Sequence, residues 1–161
     1  MLMRIEKQEF EEVIQKYSDV MLRCAFAYCE NVADAEDVVQ EAFIRYLKKS
    51  PHFREEEHRK AWLLRVVINL AKNLRRSFWQ RNKSELSEDI PAGDNSLRKC
   101  EIWSAVQALP AKYKLVIELY YHEGYTIEEI AAITGSKRST VGLRLTKAKE
   151  LLKNIYEEES V

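Results

Sequence analysis

The segment 126–149 restricts the fold more than any other part of the sequence. Thr126 and Glu129 form the S/T-x-x-E pattern of a capping box ahead of isoleucines at three- and four-residue spacing, which predicts a short helix. Gly135 suits the left-handed residue that ends such a helix. A second amphipathic segment begins at Ser139, with basic residues at Arg138, Arg144, Lys147 and Lys149. The pattern predicts a helix-turn-helix, whose second helix fits a DNA major groove, or else a plain helical hairpin with a solvated basic face.

The rest of the chain is also predicted to be helical. Its 161 residues include only four glycines and three prolines, and apolar residues recur at helical spacing. With 46% hydrophobic residues, the chain can bury a core as one domain or as two small ones. These features predict an all-α fold, and no pair of segments reads convincingly as β strands.

Charge is balanced overall but unevenly distributed. Lys plus Arg and Asp plus Glu both number 26, so net charge alone gives no support to nucleic-acid binding. Residues 59–83, however, contain eight basic side chains and no acidic one, whereas acids recur within 85–94. The basic and acidic residues are therefore segregated along the chain.

Several classes of protein are excluded by pattern. Cys24, Cys29 and Cys100 are odd in number and lack CxxC spacing, and no histidine pair has ligand spacing, so we expect inert thiols, no metal and no cofactor. No glycine-rich phosphate loop or Ser/His/Asp set indicates an enzyme. No apolar run approaches the roughly 18 residues of a membrane span, and the charged N-terminus lacks a signal-peptide core. We expect a cytoplasmic protein without membrane insertion.

The periodicity divides the chain into two domains. We predict a first helix or helix pair over 6–29 and helices over 34–49 and 61–78, with a polar loop at 51–59. Residues 84–96 hold proline, glycine, asparagine and serine without apolar periodicity, which is typical of a flexible linker. We place the first domain at 1–78, the linker at 79–96 and the second domain at 97–161.

The second helix has two different faces. Its apolar face is predicted to be buried and comprises Ala35, Val38, Val39, Ala42, Phe43, Tyr46 and Leu47. The opposite face carries Asp37, Gln40, Glu41, Arg45 and Lys48. Periodicity does not decide whether this polar face is solvated surface or a docking stripe for a partner helix.

The third helix is predicted to bury Trp62, Leu63, Val66, Val67, Leu70 and Leu74. Its other side bears amides and cations, at Arg65, Asn69, Lys72, Asn73, Arg75 and Arg76. Trp62 is in phase with the apolar residues, which favours core packing over an exposed stacking role.

Four segments in this order carry a family resemblance. They are Asp34-Ala-Glu-Asp-Val-Val-Gln-Glu-Ala-Phe, Trp62-Leu-Leu-Arg-Val-Val-Ile-Asn-Leu-Ala-Lys-Asn, Ala108-Leu-Pro-Ala-Lys-Tyr, and Glu129-Ile-Ala followed by Thr140-Val-Gly-Leu-Arg-Leu. Across nearly its whole length, the chain resembles the extracytoplasmic-function (ECF) group of bacterial sigma factors. The resemblance implies a region-two helical bundle and a region-four helix-turn-helix domain joined by the linker, with no catalytic chemistry.

The resemblance also implies partners and site residues. Asp37, Gln40, Glu41 and Arg45 would dock on the β′ clamp helices of core RNA polymerase, whose β flap is a further expected contact. The minus-ten promoter element would be opened and held by Phe53, Arg54, His58, Arg65, Asn69, Lys72, Asn73 and Arg76. The minus-thirty-five element would be read by Arg138, Ser139, Thr140, Arg144 and Lys147. An anti-sigma factor is a further expected partner.

Two features depart from the family pattern. Lys137 stands where many relatives have serine, and Gly142 and Leu143 stand where they have a polar pair. The minus-thirty-five sequence is therefore expected to differ, with Leu143 either touching a thymine methyl or remaining a plain surface leucine. The competing interpretation of the whole chain is a helix-turn-helix regulator with an N-terminal helical sensing domain, which would bind duplex DNA without polymerase.

Overall fold

The computed structural model describes residues 5–49, 51–81 and 105–159, and no strand occurs among them. The chain divides into two compact units, residues 1–77 (unit 1) and 78–161 (unit 2). The all-α prediction is thereby confirmed. The part of the predicted linker from residue 82 onward, and the start of the second domain up to residue 104, lie outside the described residues.

Unit 1 is built from three helices. They are α1 (Lys7–Phe26), α2 (Val32–Lys49) and α3 (Glu56–Arg81). Helix α2 begins earlier than predicted, because Asn31 caps it: the Asp34 amide donates to Asn31 Oδ1 at 2.8 Å, and Asn31 Nδ2 donates to Asp34 Oδ2 at 3.0 Å. Asp34 was expected to open the helix and lies instead in its first turn, where its charge suits the helix dipole.

The core of unit 1 lies where one face of each helix meets the others. Phe10 of α1 packs edge-on against Phe43 of α2, with ring centroids 6.1 Å apart, and stacks near Tyr46 at 6.4 Å. The fully or nearly fully buried side chains are Val13, Tyr17, Val20, Met21, Cys24, Ala35, Val38, Ala42, Tyr46, Leu63, Leu64, Val67, Ile68 and Ala71. Leu47, which was predicted to be buried, is 42% exposed.

Helix α3 differs from its prediction at both ends. It begins at Glu56 rather than Ala61, because Glu56 and Glu57 occupy the first turn, where acidic side chains complement the helix dipole. The loop expected at 51–59 is therefore shorter, and His58 lies on the helix. The helix also continues to Arg81, so residues 79–81 of the predicted linker are helical.

The buried face of α3 is rotated from the predicted one. Leu64, Ile68 and Ala71 are completely buried, whereas Leu74 is 40% exposed. Apolar residues cover a wide arc of this helix, so the sequence period alone did not identify which edge of the arc meets α1 and α2.

In the described part of unit 2, residues 105–107 are helical, and three longer helices follow around a tight turn. After Pro110, α4 runs over Ala111–Ile117, a π-helical turn follows at Glu118–His122, α5 spans Ile127–Thr134 and α6 spans Arg138–Glu159. Proline suits the start of α4, because the amide hydrogen that proline lacks would have no acceptor within the helix at this position. The core side chains shared by these helices are Leu115, Val116, Leu119, Ile130, Ile133, Val141, Leu145 and Ala148.

The predicted capping box and the predicted end of α5 are both confirmed. The Glu129 amide donates to Thr126 Oγ1 at 3.1 Å, and the Thr126 amide donates to the Glu129 carboxylate, which completes the capping box. Gly135 ends the helix with φ 68°, the left-handed conformation that glycine adopts without steric cost. Helix α6 then begins at Arg138, one residue before the predicted start.

No helix in the part of the chain that the structure describes is long and apolar enough to cross a membrane.

Candidate functional site

The polar stripe of α2 is on the surface. Asp37, Gln40, Glu41 and Arg45 are all exposed, and Arg45 Nε lies 3.5 Å from Glu41 Oε1. The structure adds Ile44, which is 42% exposed and follows Gln40 by one helical turn. The sequence signal for Ile44 was its offset of seven residues from Asp37, which places it on the polar face rather than the apolar one. The stripe therefore combines charges, an amide and one aliphatic side chain.

Phe53 is held at the mouth of an aromatic cluster. Its ring is half-buried and lies 6.1 Å from the ring of Trp62, which in turn lies 5.9 Å from the ring of buried Tyr46. Phe53 makes a second contact, with Arg59, whose guanidinium lies 5.9 Å from the centroid of the Phe53 ring. Trp62 thus links the loop to the core of unit 1, and core packing is its structural role. The loop at 51–55 is short and ends directly in α3.

A charged network fastens the beginning of α3 to α1. Tyr17 donates a hydrogen bond of 2.6 Å to Glu56 Oε2, and Glu56 also pairs with Arg59. Arg59 reaches Glu9 at 3.3 Å, and Lys16 Nζ lies 3.7 Å from Glu56. The hydrogen bond from Tyr17 holds the pKa of Glu56 below its usual range, and the nearby cations lower this pKa further. These contacts hold the start of α3, which follows the aromatic loop directly, against α1.

The polar face of α3 extends from His58 to Arg76. Arg54, His58, Arg65, Asn69, Asn73 and Arg76 are exposed, and Lys72 is half-buried with its ammonium 5.9 Å from the Tyr28 ring. His58 shares this face because it precedes Arg65 by seven residues, about two helical turns. An ion pair of 3.8 Å with Glu55 forms when the imidazole of His58 is protonated. From His58 to Arg81 the helix contains no acidic residue.

The candidate residues of α6 fall into two groups. Ser139 is exposed, and Lys147 is exposed with Glu150 at 3.8 Å, whereas Thr140 and Arg144 are half-buried. Arg144 Nη1 donates to Ser136 Oγ at 3.5 Å. Arg138 is exposed but pairs with Glu128 of α5, with Nε 2.9 Å from the carboxylate. Two of the cations expected to contact DNA therefore have intramolecular acidic partners.

One group of side chains among the described residues brings metal-ligand atoms together. Atoms of Glu118, His122 and Glu123 lie within 4.8 Å of one another on and beside the π-helical turn. Histidine spacing in the sequence gave no sign of this group, because it contains a single histidine. His122 Nδ1 is 3.4 Å from Glu118 Oε1, an ion pair when the imidazole is protonated. This pairing accounts for the proximity of His122 to Glu118, and we assign no metal to the group.

The two units together define a class of nucleic-acid-binding protein. Unit 2 has a helix-turn-helix with a surface stripe on its second helix, and unit 1 has a cationic, amide-bearing helix beside a supported aromatic loop. The first arrangement suits duplex DNA, and the second suits single strands, whose bases stack on aromatic rings while cations hold phosphates.

Comparison with known proteins defines the family. Residues 13–81 match the family model Sigma-70 region 2, and residues 101–152 match Sigma-70, region 4. The chain is 31% identical over 138 residues to RNA polymerase sigma factor SigV of Bacillus subtilis, with 81% of each chain covered. It is 28% identical to the ECF RNA polymerase sigma-E factor of Haemophilus influenzae, over 92% of this chain and 88% of the relative.

Solved structures show the same fold. The sigma factor RpoE from Bartonella quintana, determined with the anti-sigma factor NepR, has a TM-score of 0.73 and 24% identity, and the match covers 93% of this chain and 98% of that one. CnrH, determined with the cytosolic domain of CnrY, has a TM-score of 0.63 and 19% identity, over 95% of this chain and 90% of that one.

This chain belongs to the ECF group of the sigma-70 family of RNA polymerase sigma factors. It is an alternative sigma factor, which directs RNA polymerase to start transcription at the promoters that it recognises. Sigma factors are transcription initiation factors without catalytic activity.

Proposed function

We propose that the α2 stripe of Asp37, Gln40, Glu41 and Arg45 is the docking site for the β′ clamp helices of core polymerase. An exposed stripe of charges around an aliphatic side chain, Ile44, is suited to a partner helix because it offers both ion pairs and apolar contact. The Arg45–Glu41 pair is exposed, so breaking it on docking costs little. The β flap is the proposed partner of unit 2.

We assign the minus-ten element to unit 1, because the polar face of α3 from His58 to Arg76 contains no acidic residue that would repel a DNA strand. A melted strand needs phosphate contacts along several nucleotides, and Arg65, Lys72 and Arg76 supply cations at helical spacing. Asn69 and Asn73 present exposed amides, which pair donors and acceptors with base edges. Phe53, with Arg54 and His58 beside it, receives a flipped base, whose unstacking costs a few kcal/mol that stacking recovers.

The minus-thirty-five element is assigned to α6. Ser139, Thr140 and Lys147 lie on or beside its outward face, where the first turns of a recognition helix meet base edges. Arg138 and Arg144 flank that face and are suited to phosphates or to guanine. Arg138 must leave Glu128 to reach DNA, which is inexpensive because both side chains are more than half exposed.

Regulation and location follow the same proposal. The structure of RpoE contains the anti-sigma factor NepR, and we propose that a comparable inhibitor covers docking surfaces of this chain until a signal releases it. The protein acts in the cytoplasm, where core polymerase and promoters are found, and performs no catalysis of its own.

The proposal is tested by run-off transcription with bacterial core polymerase on genomic fragments. Wild-type protein is compared with the triple variant Asp37→Ala, Gln40→Ala, Glu41→Ala. The matched control is Glu11→Ala, Glu12→Ala, Gln15→Ala, which removes two acids and one glutamine from exposed positions of α1. We expect discrete start sites with wild type and control, and their loss with the α2 variant at equal folded content.

Two outcomes would contradict the proposal. Equal loss in both triple variants would show that the α2 stripe is not the docking site. The absence of any protein-dependent start site, together with tight sequence-specific duplex binding by the protein alone, would favour the helix-turn-helix regulator.

A further inference from the structure

The outward face of α6 has an apolar centre. Leu143 is 72% exposed, more than any other large hydrophobic side chain described in the structure. On the helix it lies one turn after Ser139 and one turn before Lys147, both of which are exposed. The opposite side of the helix is buried through Val141, Leu145 and Ala148. Leu143 therefore points away from the core of unit 2.

Gly142, the residue before Leu143, has open space where a side chain would begin. Gly142 lies inside α6, where glycine destabilises a helix relative to alanine. A Cβ atom added at Gly142 would meet nothing within 4 Å, and its φ is not in the left-handed region, in contrast to Gly124 and Gly135. Neither crowding nor backbone conformation within the described structure thus requires glycine here. A remaining physical reason for glycine is the close approach of a ligand to the backbone.

The surroundings of this pair indicate the ligand. Arg144 and Lys147 lie on one side of the outward face and Arg138 on the other, so an apolar residue stands between cations. An aliphatic side chain between phosphate-binding cations is typical of contact with the 5-methyl group of thymine, the apolar feature of the major groove.

We propose that Leu143 is a specificity-determining contact that reads a thymine methyl in the minus-thirty-five element, with Gly142 allowing the helix backbone to approach the DNA closely. This inference rests on the proposed function of α6. The sequence left Leu143 undecided between a methyl contact and a plain surface leucine.

The test first determines the element and then removes single methyl groups. Wild-type holoenzyme transcribes a promoter library with a randomised minus-thirty-five region, and the transcribed sequences identify enriched thymines. Each enriched thymine is then replaced by uracil, which lacks only the methyl group. We expect one replacement to lower wild-type transcription about fourfold, the effect of one buried methyl-sized group. The Leu143→Ala variant should be insensitive to the same replacement.

A second variant addresses Gly142. Gly142→Ala should raise the thermal stability of unit 2, because alanine favours the helix, and still reduce transcription from the selected promoter. A purely solvent-facing glycine would give the first effect without the second. The Lys147→Ala variant, which should weaken transcription irrespective of the methyl groups, shows that α6 engages the element.

The outcomes separate this inference from the proposed function. If uracil at every enriched thymine leaves wild-type transcription unchanged while Lys147→Ala still weakens it, Leu143 does not read a methyl group. If the library yields no enriched sequence upstream of the start site, the assignment of α6 to the minus-thirty-five element itself fails.

Discussion

Tyr17 and Glu56 are separated by 39 positions in the sequence, yet their hydrogen bond ties α1 to the start of α3. The bond is to a carboxylate, which makes it stronger than a neutral one. Because the folded pKa of Glu56 is lowered, its contribution to stability is present above the ordinary value of 4.5. That contribution is lost as pH falls through the lower folded value.

Replacing Tyr17 with phenylalanine should therefore destabilise unit 1 in a pH-dependent manner. We expect a loss of about 1 kcal/mol in unfolding free energy near pH 7, since one hydrogen bond to a charged group is removed. The loss should shrink as pH falls below 4.5. Hydrogen exchange of α1 amides, compared between wild type and variant at the same pH, measures the difference.

Tyr113→Phe, which alters unit 2, serves as the control for this change. It should leave exchange in α1 unaffected at every pH. A Tyr17→Phe effect that is equally large at acidic and neutral pH would show that the hydroxyl acts through packing rather than through the Glu56 carboxylate.

Cys29 is a second residue whose chemistry is set by its surroundings. Burial raises the pKa of its thiol from 9.0 to about 11, and Asp34 adds to the increase while Arg75 opposes it. A shift of this size lowers the thiolate fraction roughly a hundredfold, since each pKa unit is tenfold. We expect alkylation of Cys29 near pH 8 to be slower in the folded protein than in urea by at least that factor. Mass spectrometry of the labelled peptide checks this, and equal rates would contradict it.

At the scale of helices, the sequence predicted features that depend on neighbouring residues, but not features that depend on contacts with distant helices. The capping box of Thr126 and Glu129 and the stop at Gly135 depend on neighbours within one turn, so the sequence predicted α5 closely. The start of α3 was missed because Glu56 and Glu57 resemble a solvated loop until their place at a helix N-terminus is known. The buried edge of α3, with Leu64 and Ile68, depends on contacts with distant helices.

The candidate site divides in the same way. The resemblance motifs indicated residues on the polar faces of α2, α3 and α6. Most of these residues are exposed, whereas Lys72, Thr140 and Arg144 are half-buried. What motifs did not provide are the contacts made across the fold: Arg59 beside Phe53, and Glu128 beside Arg138. Each of these two contacts joins residues of different structural elements, and helical periodicity predicts only which residues share a face of one helix.

The pair between α5 and α6 leads to a prediction about affinity. Because Glu128 holds Arg138 and also repels phosphate, Glu128→Gln should strengthen promoter binding about twofold to fivefold, in line with an exposed ion pair. The measurement is the promoter concentration that half-saturates run-off transcription by the holoenzyme. Glu12→Gln, on an exposed position of α1, is the charge-matched control. An unchanged value in Glu128→Gln would show that Arg138 contributes nothing to the DNA contact.

For the whole molecule, the equal numbers of acidic and basic residues mean that attraction to DNA has to come from particular faces. The cations of α3 should therefore dominate the salt dependence of promoter opening. Replacing Arg65 and Arg76 together by alanine should reduce the slope of log rate against log salt by about 1.4, since each single-strand phosphate contact contributes about 0.7.

Permanganate footprinting of melted thymines at several salt concentrations gives this slope. The control is Lys7→Ala together with Lys112→Ala, which removes the same number of charges from exposed positions of α1 and α4. A slope that falls equally in both double variants would mean that the general field of the protein, rather than the face of α3, attracts the strand.

The length of α3 sets a distance scale for promoter contact. A helix advances about 1.5 Å per residue, so the polar face from His58 to Arg76 measures about 27 Å along its axis. Helix α3 is continuous from Glu56 to Arg81, so its polar face can contact promoter positions only within that length. Promoter positions farther away need another part of the holoenzyme to hold them.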